Sequence, residues 1–478
     1  MKGRTMYQLK RCWSALPSSF WFVPTLIVAG SIALAMALIE AHSTGSAQWL
    51  ARWPRLFGAS AEGARGMLST IAGSMMTVVG VTFSMTLVAL ALASSQYTSR
   101  ILRNFIRDRV TQVVLGIFSG IFAYCLIVLC TIRGGDEGGF VPSLAVFFAV
   151  VLAMGGIGVL IFFIHHIAAS IQVSIIIASV ADETIVAVDR LFPQKLGGGP
   201  PDGDEAQAAL PLPERHWQTV PAQRNSYIQS VDNAALLRLA REHKTIVRME
   251  RGIGDFVVHD TLPASLALEV SPGTEVIAAM QAAYSIDRYR TVHQDCAFGI
   301  RQIVDMAVRA LSPSVNDTTT AVMCVDYLTA ILARLASRGI PSAHRYEEGE
   351  LRIIAIGPTF ANLVAESFDQ IRGSAIGNLG IMLRMLGALQ TIASLTASPS
   401  RRQALWEQAQ WIAELPERTI ESPHDRVRFE SRLARVREAL QTEPILCARP
   451  EKENYQTLKP ALNEPVKMQR RELRGGHR

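Results

Sequence analysis

Residues 67–109 constrain the fold of this chain most, because they are uncharged from Met67 to Ser99 and then strongly basic. An α-helix of about 20 apolar residues crosses a bilayer, so this run can cross one and emerge by two turns or more. Four arginines follow the uncharged run, namely Arg100, Arg103, Arg107 and Arg109. With 49% hydrophobic residues over 478 positions, the composition predicts a membrane protein with more than one domain.

One face of this span is small and hydroxyl-bearing. At helical spacing it carries Thr70, Ser74, Thr77, Val81, Ser84, Val88, Ala91 and Ser95. Small residues let helices approach closely in lipid, so the face is typical of helix–helix packing. Alternatively, it lines a wet pathway, with Thr70, Ser74, Thr77, Ser84 and Ser95 as pore-lining residues.

The arginines after the span have two interpretations as well. Arg100, Arg103 and Arg107 repeat at helical spacing and can anchor the helix end by reaching lipid phosphates. If the hydroxyl face lines a pore, the same residues form a basic ring at its inner mouth, and such rings favour anions.

Four spans are predicted within residues 20–166. Besides the stretch described above, apolar runs cover about 20–39, 111–132 and the residues from 141 onward. The N-terminal flank, 1–19, holds four lysines and arginines, whereas the turn at 134–139 is preceded by Arg133 alone. This bias places the N-terminus in the cytoplasm, and four spans return the C-terminal part to the same side. The six cysteines show no disulfide or zinc spacing, which fits a reducing compartment.

The fourth span continues beyond the length of a membrane helix. From 138 to 181 its only titratable side chains are His165 and His166. A helix of that length reaches about 65 Å, twice a hydrocarbon core. The membrane window is 141–164 or 157–180, and we prefer the first because titratable groups inside a membrane are rare. Residues 167–196 then form a helical continuation into the cytoplasm, buried against the cytoplasmic domain or against copies of itself.

The two histidines lie where the span should leave the lipid. Histidine is the side chain that changes charge most readily between pH 5 and 8. If several subunits pack at this point, protonation would separate them and make the junction a pH-dependent gate. Otherwise, both are interfacial anchors.

The fold class expected is a membrane α-helical protein: four transmembrane helices followed by a cytoplasmic α+β domain, mostly helical with a small mixed sheet. Residues 197–213 read as a Pro/Gly-rich linker, 214–290 as a small α/β module, 291–440 as a helical domain and 441–478 as a disordered basic tail. In the module, 245–251 and 256–259 are predicted to be partner strands across a turn at Gly252 and Gly254. Further predicted strands lie at 227–231 and 351–356, and predicted helices at 233–243, 272–285, 292–311, 318–336, 359–372, 377–396 and 401–440.

A polar motif at 312–317 joins two of these helices. Pro313 stops the first helix, Ser312 or Asn316 can cap, and Asp317 suits the first turn of the second. A tight helix–helix connection explains the motif. The alternative is a contact in which Asn316 and Asp317 face a ligand or a subunit.

No motif indicates catalysis, a cofactor or a metal. The residues His293, Asp295, Asp305 and Asp326 lack the spacing of known metal motifs, so cap or solvated positions are favoured over ligands. Gly252-x-Gly254 lacks the third glycine and the helix of a dinucleotide site. We therefore expect no cofactor, and no nucleic-acid partner, because no such motif has a supporting fold pattern.

Three stretches resemble the DUF2254 family of predicted bacterial membrane proteins. They are ALASSQYTSRILRNF at 91–105, YIQSVDNAALLRLA at 227–240, and HQDCAFGIRQIVDMAVRALSPSVNDTTTAVMCVD at 293–326. The third is the most specific, and the family pattern there is close to ALSP-x-x-NDP-x-TA. This chain has Thr318 and Ser99 where the family pattern has prolines. The resemblance spans about 20–440 and implies a multi-pass protein of the bacterial inner membrane, with no established activity.

Two functional hypotheses from different classes follow. The first is a homo-oligomeric pore or transport protein for small ions, with anions favoured and the lipid bilayer as its setting. The second is a membrane-anchored scaffold or sensor whose cytoplasmic domain binds a protein or small ligand, because about 290 residues follow the last span. An enzyme is the third option and has only scattered His and Asp residues behind it.

Overall fold

The computed structural model describes residues 21–43, 60–96, 109–133, 140–192, 216–222, 224–261, 263–415 and 420–442. In chain order its elements are α1 Phe22–Ser43, α2 Ala61–Gln96, α3 Arg109–Thr131, α4 Ser143–Ser170, α5 Val173–Leu191, β1 Trp217–Val220, β2 Ser226–Val231, α6 Asn233–Glu242, β3 Val247–Met249, β4 Phe256–Val257, β5 Ala264–Ala267, α7 Thr274–Ala283, β6 Tyr284–Asp287, a 3₁₀ turn Val292–Gln294, α8 Cys296–Ala310, α9 Thr318–Ala336, β7 His344–Glu347, β8 Glu350–Ile354, α10 Phe360–Ser374, α11 Leu379–Ala393, α12 Pro399–Ala413 and α13 Pro423–Gln441. The predicted flank 1–19, the linker 197–213 and the tail from 443 lie outside the described residues.

Helix α3 is the centre of a bundle formed with α1, α2 and α4. Its two glycines, Gly116 and Gly120, set the distance to α1. A Cβ at 116 would lie 2.8 Å from Cδ1 of Ile27, and one at 120 would lie 2.5 Å from Oγ of Ser31. This Gly-x-x-x-Gly spacing brings two membrane helices into close backbone contact.

Five helices of the described residues are long and apolar enough to cross a membrane: Phe22–Ala41, Ala61–Leu92, Arg109–Thr131, Ser143–Ser170 and Thr318–Ala336. Four of them correspond to the predicted spans. The fifth is α9, in which Cys324, Leu328, Ile331 and Leu335 are fully buried by neighbouring helices.

The predicted continuation of the fourth span is interrupted. Helix α4 ends at Ser170, and Gln172 adopts an extended conformation with φ −68° and ψ 127° before α5 begins. The interruption allows α5 to turn its apolar side, with Ile176, Ile177 and Val180, into a core of helices. Helix α5 is therefore buried against its own chain, one of the two burials expected for it.

That core is the largest of the described residues. Side chains of α8, α9, α10, α11, α12 and α13 close around α5, with Ile303, Leu332, Phe368 and Leu386 fully buried. The amphipathic patterns of these helices, apolar at every third or fourth position, produce such a core. The predicted helix 318–336 coincides with α9, and the predicted 401–440 divides into α12 and α13.

The strands form two sheets instead of one hairpin-based module. A five-stranded sheet has the order β1-β5-β3-β8-β7, with β3 and β8 parallel and the other pairs antiparallel. A three-stranded antiparallel sheet has the order β4-β2-β6. Strands β7 and β8 follow α9 in the chain, so the larger sheet draws on residues well beyond 290.

The predicted pairing of 245–251 with 256–259 is wrong. Strand β3 pairs with β5 and β8, whereas β4 pairs with β2. The turn itself is present: Gly254 has φ +91°, and its N–H donates to the carbonyl of Ile228 at 2.8 Å. That bond draws the chain towards β2, and so the turn connects two sheets instead of closing a hairpin.

Candidate functional site

The hydroxyl face of α2 does not contact the other described helices. Thr70, Ser74, Thr77 and Ser84 are all exposed on the surface of the single chain. The face that packs against α3 and α4 is instead formed by Ala64, Leu68, Ala72, Met75, Thr82 and Ala89. Packing within the bundle therefore does not explain the small, hydroxyl-bearing face.

Glycines extend this face into a regular pattern. Gly66, Gly73 and Gly80 alternate with Thr70, Thr77 and Ser84 at steps of three and four residues. A Cβ added at any of the three glycines would meet nothing within 4 Å. We call these six residues the glycine–hydroxyl face. The pattern leaves a shallow strip along a membrane helix, where another backbone can approach closely or water can lie.

The hydroxyls on this face are satisfied within their own helix. Thr70 donates to the carbonyl of Gly66 at 2.8 Å, Ser74 to Thr70 at 2.8 Å, and Thr77 to Gly73 at 3.0 Å. Such bonds allow hydroxyl groups to lie in an apolar medium at little cost. The backbone of Ser95 lies in the last turn of α2, but its side chain is outside the described residues, as are Arg100, Arg103 and Arg107.

The histidine pair lies one turn before the interruption between α4 and α5. His165 is exposed, whereas the ring of His166 stacks on Phe162 with the centroids 6.1 Å apart. Nε2 of His166 lies 3.4 Å from the Ser170 hydroxyl, which donates to the His166 carbonyl at 2.7 Å. Both residues therefore lie at a junction where the helix direction changes.

An ion-pair cluster fixes the far end of α5 to α9. Asp189 accepts two hydrogen bonds from Arg334, at 2.7 and 2.9 Å, and one from Arg338 at 2.6 Å. The hydrogen bond from Arg334 is the main reason why the pKa of Asp189 is lowered from its usual 3.8. Arg338 is only 9% exposed, so Asp189 neutralises a charge that has largely left water. We call Asp189, Arg334 and Arg338 the Asp189 clamp.

A second buried arginine, Arg401, contacts the same end of α9. Arg401, 5% exposed, donates to the carbonyls of Leu335 and Ala336 at 3.3 and 3.1 Å and to that of Arg338 at 2.9 Å. These carbonyls lie at the end of α9 and just beyond it, where a cation is stabilising. The sequence alone does not predict this cluster. The only signal was the i,i+4 spacing of Arg334 and Arg338, which is common on solvated helices.

The motif at 312–317 forms a tight connection between α8 and α9. Asn316 adopts the left-handed conformation with φ +48°, and its N–H donates to the Ser312 carbonyl at 2.9 Å. Asp317, not Ser312 or Asn316, caps α9 by accepting from the N–H of Thr320 at 3.0 Å. Pro313 follows the last turn of α8 and is exposed. The side chain of Asp317 is thus occupied by a structural bond, while Asn316 stays exposed.

The acidic residues considered as metal ligands are separated. Asp295 caps α8 and pairs with Arg290 at 2.8 and 3.1 Å, whereas Asp326 pairs with Arg384. Among the described residues, no group of three His, Cys, Asp or Glu side chains could hold a metal ion. Burial raises the pKa of Asp295 although Arg290 opposes it, and burial raises that of the neighbouring Cys296 to about 12.

Most of the chain matches a known protein family. Residues 17–391 match the family model described as "Predicted membrane protein (DUF2254)". The chain belongs to the DUF2254 family. It is 32% identical over 452 residues to the uncharacterized protein Rv1290c of Mycobacterium tuberculosis and to the uncharacterized protein Mb1321c of Mycobacterium bovis. Each alignment covers 91% of this chain and 83% of the relative. No solved structure matches the chain.

The DUF2254 match covers nearly all the features described above. It includes the bundle, the histidine junction, the motif at 312–317 and both arginines of the Asp189 clamp, and it ends at 391, inside α11. Helices α12 and α13 lie beyond it, although the resemblance was expected to reach about 440. This chain is therefore a membrane protein of the DUF2254 family with further helices packed on the core.

Proposed function

We propose that the chain is a four-span inner-membrane protein that assembles into a homo-oligomeric pore for small ions, with its glycine–hydroxyl face on the pathway. The observation that carries the proposal is the exposure of this face along α2 within one chain. A strip of small residues on a membrane helix favours the close approach of another helix, and its hydroxyl groups can also face water. Symmetry-related copies around a common axis would supply both.

The burial of α9 supports four spans. This helix is apolar enough to cross a membrane, but its side chains are enclosed by α5, α8 and α11. A helix surrounded by amphipathic helices belongs to a water-soluble core, and these neighbours carry exposed charges such as Asp182, Arg309 and Arg384. Spans α1–α4 then leave α5 and the helical core on the side where the chain begins. The basic N-terminal flank favours the cytoplasm for that side.

The arginines at 100, 103 and 107 supply the reason for expecting anions. They follow α2 in sequence, and with several copies they would surround the inner mouth. The hydroxyls of the face would offer a polar wall without a fixed charge. The selectivity for anions would therefore depend on the arginines, and the conductance would depend on the glycine–hydroxyl face.

Ion flux in liposomes tests the proposal. Protein reconstituted into vesicles should release chloride faster than protein-free vesicles, and Thr77→Leu, which fills the face, should reduce the flux. Met76→Leu is the matched control because Met76 is 54% exposed on a different side of the same helix. Arg103→Gln should shift the reversal potential towards cations while flux persists. Wild-type flux no greater than that of empty vesicles, across varied pH and voltage, would disprove the pore.

We further propose that His165 and His166 gate this pore by pH. They precede the change of direction between α4 and α5, so repulsion between protonated copies would act on a hinge. Replacing both by Gln should remove any pH dependence of flux between about pH 5.5 and 7.5 while leaving assembly intact. If the double variant keeps the wild-type profile, the histidines are anchors.

A scaffold or sensor is the second candidate, favoured by the size of the helical core and by its attachment to α5 through the Asp189 clamp. In that case a cytoplasmic protein or small ligand would bind the core and act through α5 on α4. The pore would then be absent, and full-length protein would bind its partner without any flux. Cross-linking would then recover a complex between the helical core and its partner, and substitutions at the cross-linked surface would abolish it. That result would support this candidate over the first.

A further inference from the structure

A groove lined by arginines lies between the amino-terminal halves of α9 and α11 and helix α13. It encloses about 520 Å³ and is open to solvent. Its lining is Val322, Gly380, Leu383, Arg384, Val427, Arg428, Ser431, Arg432 and Arg435. Four of these nine residues are arginines, and none is an acid. We call this feature the arginine groove.

Two of the four arginines are already neutralised. Arg384 forms a two-bond pair with Asp326 of α9, and Arg428 lies 3.4 Å from a carboxylate oxygen of Asp425. Arg432 and Arg435 form no ion pair with any residue of the described ranges. The groove therefore holds two uncompensated positive charges on successive positions of one face of α13, spaced i,i+3.

The guanidinium of Arg432 lies in the space that Gly387 leaves on α11. Gly387 is buried in the middle of that helix, and a Cβ there would overlap Nη2 of Arg432. Glycine weakens a helix interior relative to alanine, so its space needs another use. Here the guanidinium fills that space and lies half-buried against the backbone of α11. A cation positioned in this way is pre-organised and does not swing freely in solvent.

The groove lies at the end of the helical core where α9 and α11 begin. Helix α5 leads away from α4, and the Asp189 clamp joins its far end to the far end of α9. Because the clamp joins the two carboxyl-terminal ends, the start of α9, with Val322, lies towards the end of α5 that follows α4. The start of α11 is there too, since Asn378 before it donates to the Thr318 hydroxyl at 3.0 Å.

We propose that the arginine groove binds a phosphate-bearing anion through Arg432 and Arg435, with the Ser431 hydroxyl as a further donor. Guanidinium groups bind phosphate oxygens with paired, charge-assisted hydrogen bonds. The phosphate comes from a phospholipid headgroup or from a soluble phosphate compound. The assignment goes beyond the pore and holds whether or not the bundle conducts ions.

Binding of pyrophosphate to the full chain tests the site. Protein is placed in nanodiscs of phosphatidylcholine alone or with about a third phosphatidylglycerol, and bound radiolabelled pyrophosphate is measured at low and high salt. The variant Arg432→Gln/Arg435→Gln should bind about tenfold less tightly or worse, because two charge-assisted bonds are lost. The matched control is Arg426→Gln/Arg437→Gln, with the same change of charge on the same helix outside the groove. Circular dichroism confirms folding of both.

The lipid composition separates the two sources of phosphate. If the wild type binds pyrophosphate in discs of phosphatidylcholine alone but not in discs that contain phosphatidylglycerol, the headgroup is the ligand. If pyrophosphate binds equally in both discs, the ligand is soluble. The proposal is overturned if the wild type binds no pyrophosphate in phosphatidylcholine discs, or if the groove variant binds as tightly as its matched control.

Discussion

Thr184 of α5 lies directly against Gly299 of α8, so closely that a Cβ on residue 299 would overlap the threonine hydroxyl. Thr184 is fully buried and donates to the Val180 carbonyl at 2.6 Å. The first helix after the membrane bundle is thereby held in backbone-level contact with the helical core. A glycine in the first turn of α8 makes that contact possible.

Gly299→Ala should push these two helices apart. Overpacking a buried contact costs about 1–3 kcal/mol, and the gain in helix propensity, about 1 kcal/mol, offsets part of it. We expect a lower midpoint in thermal unfolding of the purified protein. Thr184→Ala in the same chain should recover part of the loss, because it removes the overlapping hydroxyl.

Gly373→Ala is the control for that measurement. Gly373 lies in the last turn of α10, and a Cβ there would meet nothing within 4 Å. This variant should be neutral or slightly stabilising. Equal losses in both variants would show that close approach at residue 299 is unimportant.

Much of the helical structure was predictable because helix patterns are local. The apolar repeat of α9 lies within its own residues, so the predicted 318–336 and the observed helix coincide. Strand pairing is different: β3 has β8 as a parallel neighbour about 100 residues later in the chain. Nothing in the local pattern of 245–251 distinguishes that partner from a nearby strand, and the hairpin prediction failed for this reason.

The candidate sites show the same division. The hydroxyl-bearing face of α2 was visible at helical spacing, but only the packing of Leu68 and Met75 against α3 shows that it turns away from the bundle. The Asp189 clamp and the arginine groove each unite residues from helices far apart in sequence. Their arginines look like ordinary solvated charges until the fold brings their neighbours together.

Asn316 should tolerate glycine and reject a β-branched residue. Its φ of +48° lies in the left-handed region, which glycine adopts freely and valine avoids. Asn316→Val should cost about 1–2 kcal/mol of unfolding free energy, whereas Asn316→Gly should be nearly neutral. The exposed neighbour Ser314 has no positive φ, so Ser314→Val serves as control. If Asn316→Val proves as stable as Asn316→Gly, the motif's turn is not a conformational constraint.

Arg290→Gln should produce a stability loss that grows with pH. Asp295 is 5% exposed, and burial already raises its pKa while Arg290 opposes the increase. Without Arg290 the pKa rises further. A carboxyl group whose pKa is raised on folding costs no stability below its usual 3.8, and the cost grows as the pH rises from there to the raised pKa. The variant should therefore regain stability as the pH falls towards 3.8.

Thermal unfolding at several pH values measures this effect against the wild type. Arg288→Gln is the control, because Arg288 is exposed and lies only two residues away. A difference between Arg290→Gln and wild type that does not shrink as the pH falls to about 3.8 would contradict an ionised, buried Asp295.

Asp189→Asn should weaken the Asp189 clamp. Its effect should disappear at low pH because the wild-type carboxylate is protonated there. The variant leaves the largely buried Arg338 without its carboxylate, which should cost about 1–3 kcal/mol at pH 7. The pKa of Asp189 is lowered on folding, so its contribution is fully present above its usual 3.8 and is lost as the pH falls through the lowered value. The wild type should therefore approach the variant's stability as the pH falls below about 3.8.

Asp182→Asn separates this effect from a general change of charge, because Asp182 is exposed on the same helix and the substitution is identical. It should unfold like the wild type at pH 7 and on acidification. The clamp also predicts where the damage appears. Because α5 joins the membrane bundle to the helical core, loss of its far anchor should increase hydrogen exchange at the end of α5 and of α9 before it affects α3. Uniform exchange along the chain, or no change at all in Asp189→Asn, would mean that the apolar contacts of Ile177 and Val180 hold α5 without the ion pairs.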